Sequence, residues 1–414
     1  MNNRRYPEFR RILILAVTLL HLPLFAYTQA STSAAFVSPD ENVISNYFSL
    51  EPLFEKLYAL EKGERSKVNI VHIGDSHIQA DYLTAVVRRN LQHIFGNAGR
   101  GLIVPYRVAG TNEPANFRST SFGPWDSKRI VHPLKPLPIG VGGITVHTNE
   151  AGTGFSIRMT DTDMDYAFNT VSVFADNDRK SFRLSIMDST RLELARVTGS
   201  DDKEWQPERI KLPAPLNHII LEGIRDDDAQ NHVTLFGLNF ENEQSGILYH
   251  AIGVNGAKYE HYNKAELFTK QTTWLNPDLF IISLGTNESM DYPGISKSFA
   301  YEVRKLVESL KANNPNACIM LITPPDAFLK RTRHNPGIEK VRSDILSIAV
   351  ENGLAFWDMY RANGGKDSAF LWKEKGLLRP DGVHFTRDGY SLQGEMFYEA
   401  LMKSYRAYVA SRNP

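Results

Sequence analysis

Lys67-Val68-Asn69-Ile70-Val71-His72-Ile73-Gly74-Asp75-Ser76-His77 is the stretch whose reading decides the fold. The apolar run over 68–73 has the length of a buried strand; it breaks at Gly74 and delivers Ser76 just past the strand's end. Residues 82–95 then place Leu83, Val86, Val87, Leu91, Ile94 and Phe95 on one face at helical spacing. A buried strand followed by an amphipathic helix is the opening unit of an α/β domain.

Upstream, Phe48, Leu50, Leu53, Leu57 and Leu60 predict a helix over 47–60, and the Ser, Thr, Ala and Pro-rich residues 31–45 predict a flexible leader. Arg4, Arg5, Arg10 and Arg11 precede an apolar stretch over 12–26, with small residues at Thr28 and Ala30. That order predicts a secretory signal over 1–30, cleaved after Ala30. An uncleaved anchor is the competing reading, but the stretch is short for a span and holds His21 and Pro23. Export to the periplasm or cell envelope is expected, with no stable membrane span left after cleavage.

Downstream the rhythm stops. Residues 99–138 are irregular and proline-rich. Short alternating runs follow at 144–147, 155–159, 170–175, 182–187, 192–197, 219–223 and 233–240, with turn residues such as Asp176-Asn177-Asp178 and Pro213 between them. Short strands without intervening helices predict a β-sandwich. From Ile247 the alternation returns: strands at 279–284, 318–323 and 355–357, and helices at 296–312, 338–351 and 387–408. The expected organisation is a signal at 1–30, an α/β domain in two parts at 31–98 and 247–414, and an inserted β-sandwich at 99–246.

The 414 residues balance 47 Lys and Arg against 47 Asp and Glu, so no net field recruits nucleic acid or an anionic membrane. A single cysteine, Cys318, excludes an internal disulfide and any cysteine-based zinc site. No cofactor and no metal are expected.

Chemistry concentrates at the carboxyl ends of the expected strands, where open parallel sheets collect active groups. Ser76 follows the first strand. Gly256 follows a short apolar run in Ile252-Gly253-Val254-Asn255-Gly256, and Asn287 follows the 279–284 strand in Gly285-Thr286-Asn287-Glu288. Asp381-Gly382-Val383-His384 puts a carboxylate and an imidazole in one tight turn before the last helix. Ser, His and Asp supply a nucleophile, a base and an orienting group. Taken singly, Ser76 reads as well as a helix cap, Asn287 as a turn former and Asp381 as a turn residue after Pro380. Together, and in this order, they read as a site.

These blocks resemble the GDSL, or SGNH, family of esterases and lipases, whose four motifs supply Ser, Gly, Asn and His in the same order. The resemblance covers about residues 65–98 and 247–405. His77 stands where the family's name-giving Leu would be, and Glu288 where an Asp is usual; Gly253 competes with Gly256 for the second block. The resemblance implies an SGNH-like parallel sheet with Ser76 as nucleophile, His384 as base and Asp381 as its partner. It also implies an oxyanion hole made by the Ser76 N–H, the Gly256 N–H and the Asn287 amide.

A Gly-Asp-Ser-His block with an inserted β-sandwich looks like the bacterial esterases that remove O-acetyl groups from peptidoglycan or other polysaccharides. On that reading the insert is a carbohydrate-binding module, and Trp125, Tyr166, Phe168, Phe174, Trp205 and Phe236 are candidates for stacking on sugar rings. His77 reads first as a surface residue at a helix start, and the basic run after Pro324-Pro325 as a solvated face; the functional alternative is that His77 shapes the pocket and that Arg331 and Arg333 hold a carboxylate of the substrate. Two other functions fit the same residues: acyl transfer to a glycan, and a non-enzymatic glycan-binding protein on an SGNH scaffold. The sequence leaves the oligomeric state open.

Overall fold

The computed structural model describes residues 37–412 apart from 133–136, 177, 199–205 and 266. The expected signal at 1–30, residues 31–36 of the expected leader, and Trp205 lie outside the described residues.

The opening unit forms as read: β1 (Lys67–Gly74) leads through a four-residue helical turn, Ser76–Gln79, into α1 (Tyr82–Phe95). The alternation after the insert yields β2 (Gly246–Gly253), β3 (Leu279–Ser283), α2 (Phe299–Asn313), β4 (Cys318–Ile322), α3 (Pro336–Glu351), β5 (Ala355–Trp357) and α4 (Arg387–Arg412). All five strands are parallel, in the order β5-β4-β3-β1-β2, and Ile44–Ser45 adds an antiparallel edge to β5. The expected helix at 47–60 forms as a 3-10 turn, Tyr47–Leu50, followed by an α-helix, Glu51–Glu61.

Alternate residues of β1 serve opposite faces. Val68 and Ile70 join Leu83, Val87 and Leu91 of α1 and Phe397 and Leu401 of α4. Val71 and Ile73 join Val303 and Leu306 of α2 and Val341 and Ile345 of α3. Each such side chain contributes about 1.5–3 kcal/mol on burial, which is why a strand covered on both faces is apolar throughout. His72 is the fully buried polar residue of β1 and is satisfied: its ring nitrogens each lie 2.7 Å from a hydroxyl, Tyr249 on one side and Ser283 on the other. Burial lowers its pKa to about 3, so it is a neutral strand residue.

The chain runs from β1 to β2 on one side and then crosses back to β3 on the other. That reversal opens a crevice beyond the carboxyl ends of β1 and β3.

Residues 101–241 form two antiparallel sheets. One has the order Glu193–Val197, Arg183–Met187, His218–Ile224, Gly154–Met159, Phe117–Phe122. The other has the order Glu208–Leu216, Phe168–Ala175, Val233–Glu241, Ile144–Thr148, Asp126–Arg129, with Gly101–Ile103 also paired to Val233–Glu241. Their inward side chains share one continuous apolar core with the α2 and α3 face of the parallel sheet. Four strands differ from expectation. Gly101–Ile103, Phe117–Phe122 and Asp126–Arg129 lie where the sequence is irregular and proline-rich. Glu208–Leu216 contains Pro213, read above as a separator; this is an edge strand whose register breaks between Lys211 and Leu216, and an edge tolerates proline.

The aromatics expected to stack on sugars hold this core together instead. Phe168, Phe174 and Phe236 are fully buried and Tyr166 nearly so. Trp125 is half-buried, edge-on to Phe155, with its indole N–H on the Gly154 carbonyl at 3.3 Å.

A buried ionic cluster ties the opening β-α unit to the insert. Asp81 takes Arg88 Nη2 at 2.7 Å, Arg100 Nη2 at 2.9 Å and Asn116 Nδ2 at 2.6 Å, and all four residues are buried. Burial alone would raise the Asp81 carboxyl; the two guanidinium groups hold it far below the usual range. Asp81→Ala leaves two buried cations without their carboxylate. We expect thermal or urea unfolding to show a loss of about 3–5 kcal/mol. A loss under 1 kcal/mol would contradict the cluster's structural role.

Candidate active site

Gly74 ends β1, and Asp75 caps the short turn that follows by accepting the His77 N–H at 2.9 Å. Ser76 is therefore the first residue of the turn rather than its cap. Its N–H, with no partner inside so short a helix, faces the crevice. His384 Nε2 lies 2.9 Å from Ser76 Oγ, and His384 Nδ1 lies 3.0 Å from Asp381 Oδ2. The other oxygen, Asp381 Oδ1, accepts the Val383 and His384 backbone N–H groups at 2.8 and 2.9 Å. Burial would raise this carboxyl, but those two donors and the imidazole hold it below its ordinary value. Residues 308 positions apart thus form one hydrogen-bonded relay with the geometry of a nucleophile, a base and an orienting carboxylate.

A cavity of about 510 Å³ opens on the relay, lined among others by Ser76, Asn255, Gly256, Asn287 and His384. Gly256 rather than Gly253 reaches it. A Cβ on Gly253 would sit 2.0 Å from the Gln79 nitrogen, so that glycine serves packing. Gly256 has φ +80°, and a Cβ there would meet only Val131 at 3.9 Å. Glycine is favoured at 256 by its left-handed backbone rather than by lack of room. Among the described residues, neither the Ser76 nor the Gly256 N–H donates to another group.

The Asn287 amide is held between two acceptors, the Ala257 carbonyl at 3.0 Å and Asp75 Oδ2 at 3.2 Å. Glu288, beside it, is buried and accepts the Tyr259 N–H at 2.8 Å. Burial pushes the Asp75 and Glu288 carboxyls up to about 7. An acid whose pKa is higher folded than unfolded binds more protons in the folded state. Stability from that source is therefore present below about pH 4 and lost as pH rises toward 7. Asp75→Asn is expected to flatten part of that decline in a plot of Tm against pH; an unchanged slope would contradict the burial argument.

His77, Arg331 and Arg333 do not line the cavity. His77 is buried behind the relay, its ring 5.5 Å from that of His384 and its Nδ1 2.9 Å from the Tyr390 hydroxyl. Burial and the neighbouring His384 lower its pKa to about 3. It meets two residues of the wall, His384 and Tyr390, from behind. Arg331 and Arg333 are exposed on a hairpin, Phe328–Leu329 with Arg333–His334.

The sequence reading missed a polar clamp on the opposite wall. Buried Gln79 donates to Thr111 Oγ1 at 3.0 Å and to the Asn112 carbonyl at 2.8 Å, and accepts the Asn255 N–H at 2.7 Å. This joins the turn after Ser76, the Gly256 loop and the first loop of the insert. Only the position of Gln79, three residues after Ser76, hinted at it; nothing in the sequence marks Thr111 or Asn112.

Residues 222–392 match the model of the GDSL-like Lipase/Acylhydrolase family. No curated protein matches the chain. Among solved structures, a peptidoglycan O-acetylesterase is 24% identical, covers 88% of this chain and 99% of its own, and superposes with a TM-score of 0.74. A GDSL-like lipase from Bacteroides thetaiotaomicron is 22% identical over 38% of this chain and 76% of its own, with a TM-score of 0.30. An acetylxylan esterase from Geobacillus stearothermophilus is 20% identical over 38% and 73%, with a TM-score of 0.30. Residues 222–392 are thus similar to a family of carboxylic ester hydrolases. The fold of the chain resembles that of the peptidoglycan O-acetylesterase along nearly the whole of that protein.

Proposed function

We propose that the protein is an exported esterase that removes O-acetyl groups from an envelope glycan such as peptidoglycan. The observation that carries this reading is the Asp381–His384–Ser76 relay opening onto a cavity whose rim holds two unengaged backbone N–H groups. Ser76 Oγ attacks the acetyl carbonyl as His384 Nε2 takes its proton. Negative charge collects on the carbonyl oxygen, where the Ser76 and Gly256 N–H groups and the Asn287 amide stabilise it. His384 then protonates the departing sugar oxygen, leaving acetyl-Ser76. Water, deprotonated by the same imidazole, releases acetate and restores the serine.

Asn287 has to loosen one of its two internal bonds to serve the oxyanion. The longer one, to Asp75, is the one that yields. Asn287→Ala is expected to lower turnover by about 10²–10³-fold with little change in Tm. A protein that melts early yet keeps its specific activity would make Asn287 a turn residue only.

The support for a glycan substrate is the fold shared with the peptidoglycan O-acetylesterase and the insert loop that walls the cavity. With the core aromatics committed to packing, the insert at 99–246 acts on the substrate through that loop. The test is acetate released from O-acetylated peptidoglycan against the same material after chemical deacetylation, with an oligosaccharide acceptor present to detect transfer. Release to water from the acetylated polymer alone is expected. Acetate found mainly on the acceptor would make the protein a transferase, and none released would overturn the reading.

A further inference from the structure

Among the described residues, the cavity wall carries one charge without a partner. Glu113, on the wall, is neutralised: one carboxylate oxygen accepts the Ser119 N–H and hydroxyl at 2.9 and 2.8 Å, and the other meets Arg107 Nε at 2.6 Å. Arg379, also on the wall, is exposed. No hydrogen bond or ion pair engages its guanidinium among the described residues. Its backbone, by contrast, is fixed. The Arg379 N–H donates to the His384 carbonyl at 2.7 Å, and its own carbonyl accepts the Gly382 N–H at 2.9 Å. An unpaired guanidinium is thus held on the same loop as Asp381 and His384, beside the ester site.

Another part of the wall offers an oriented neutral donor. Asn112 Oδ1 accepts Asn255 Nδ2 at 2.7 Å and lies 3.0 Å from Gln79 Nε2, whose two hydrogens serve Thr111 Oγ1 and the Asn112 carbonyl. With its oxygen turned to these amides, the NH2 of Asn112 is the end left to the cavity. A guanidinium prefers a carboxylate, which it engages through paired N–H donors. A carboxamide NH2 suits a carbonyl or hydroxyl oxygen.

We propose that Arg379 is a specificity-determining residue: it binds a carboxylate on the sugar that carries the scissile ester, so the preferred substrate is an O-acetylated sugar acid, with Asn112 donating to a neutral oxygen of the same sugar. This rests on the esterase reading and narrows it. The basic group expected from sequence at Arg331 and Arg333 is supplied instead by a residue two positions before Asp381.

The test compares wild type, Arg379→Ala and Arg379→Lys on two probes that differ by one 3-O-lactyl group, which carries the carboxylate: O-acetylated N-acetylmuramic acid and O-acetylated N-acetylglucosamine. The readout is the ratio of kcat/KM for the acid over the neutral sugar. Wild type is expected to favour the acid. Arg379→Ala is expected to lower that ratio by about 10–100-fold, mainly through KM, as loss of a charge-assisted hydrogen bond does. Arg379→Lys restores part of it, because the charge returns without the fork. Added salt raises KM for the acid in wild type and leaves the Arg379→Ala value unmoved. Equal losses on both probes would assign Arg379 to the triad loop and overturn the proposal, as would an unchanged ratio. Failure of the wild type on both probes and on an aryl acetate would instead remove the esterase reading beneath it.

Discussion

Ser76→Ala is expected to lower the turnover of an aryl acetate by about 10⁴–10⁶-fold, the loss that follows removal of a triad nucleophile. The magnitude follows from the geometry. Among the described residues, Ser76 Oγ is the only hydroxyl in contact with His384 Nε2, so in the variant the imidazole keeps its place but has no proton to take. The fold is expected to survive, because the turn is capped by Asp75 and not by Ser76. Tm measured beside kcat separates the two effects. A folded Ser76→Ala protein that keeps most of its activity would remove Ser76 from the reaction.

Asp381→Asn is expected to cost about 10⁴-fold in kcat with little change in Tm. The Val383 and His384 N–H groups claim one side-chain oxygen of residue 381. In the variant the amide oxygen takes that place, which turns the NH2 toward His384 Nδ1. The imidazole must then accept at Nδ1 and carry its proton at Nε2, facing Ser76 Oγ, where it cannot act as a base. A loss smaller than about 10-fold would mean that Ser76 and His384 suffice without an orienting carboxylate.

The α/β part of the molecule was legible because its strands are covered on both faces. Residues 68–73 and 279–283 are nearly unbroken apolar runs, and the helices between them show clear faces, so element type and order followed from burial alone. Ser76, Gly256 and Asn287 were legible because each lies just past such a strand, and Asp381 and His384 because they share a tight turn before the last helix, where residues must be small or polar. The first strands of the insert were not. Phe117–Phe122 and Asp126–Arg129 carry polar residues on their open sides, and prolines surround them, so neither periodicity nor composition distinguishes them from loop. The sugar-stacking candidates failed for a related reason. Aromatic content is visible in sequence, but whether Phe168 or Phe236 faces the opposing sheet or solvent depends on pairing between distant segments. His77 misled because adjacency in sequence to Ser76 puts it on the other side of a helical turn. Arg379 escaped notice because an isolated arginine carries no pattern; only the closing of the 379–384 loop on itself sets it beside Ser76.

The most direct test of the account is covalent labelling of Ser76 by a fluorophosphonate, followed by peptide mapping, with acetylated or deacetylated peptidoglycan as competitor. The account predicts one label per chain, on Ser76, lost in His384→Ala and slowed by the acetylated polymer more than by the deacetylated one. Labelling of another residue, or labelling of Ser76 that ignores both His384 and the acetylated glycan, would contradict it.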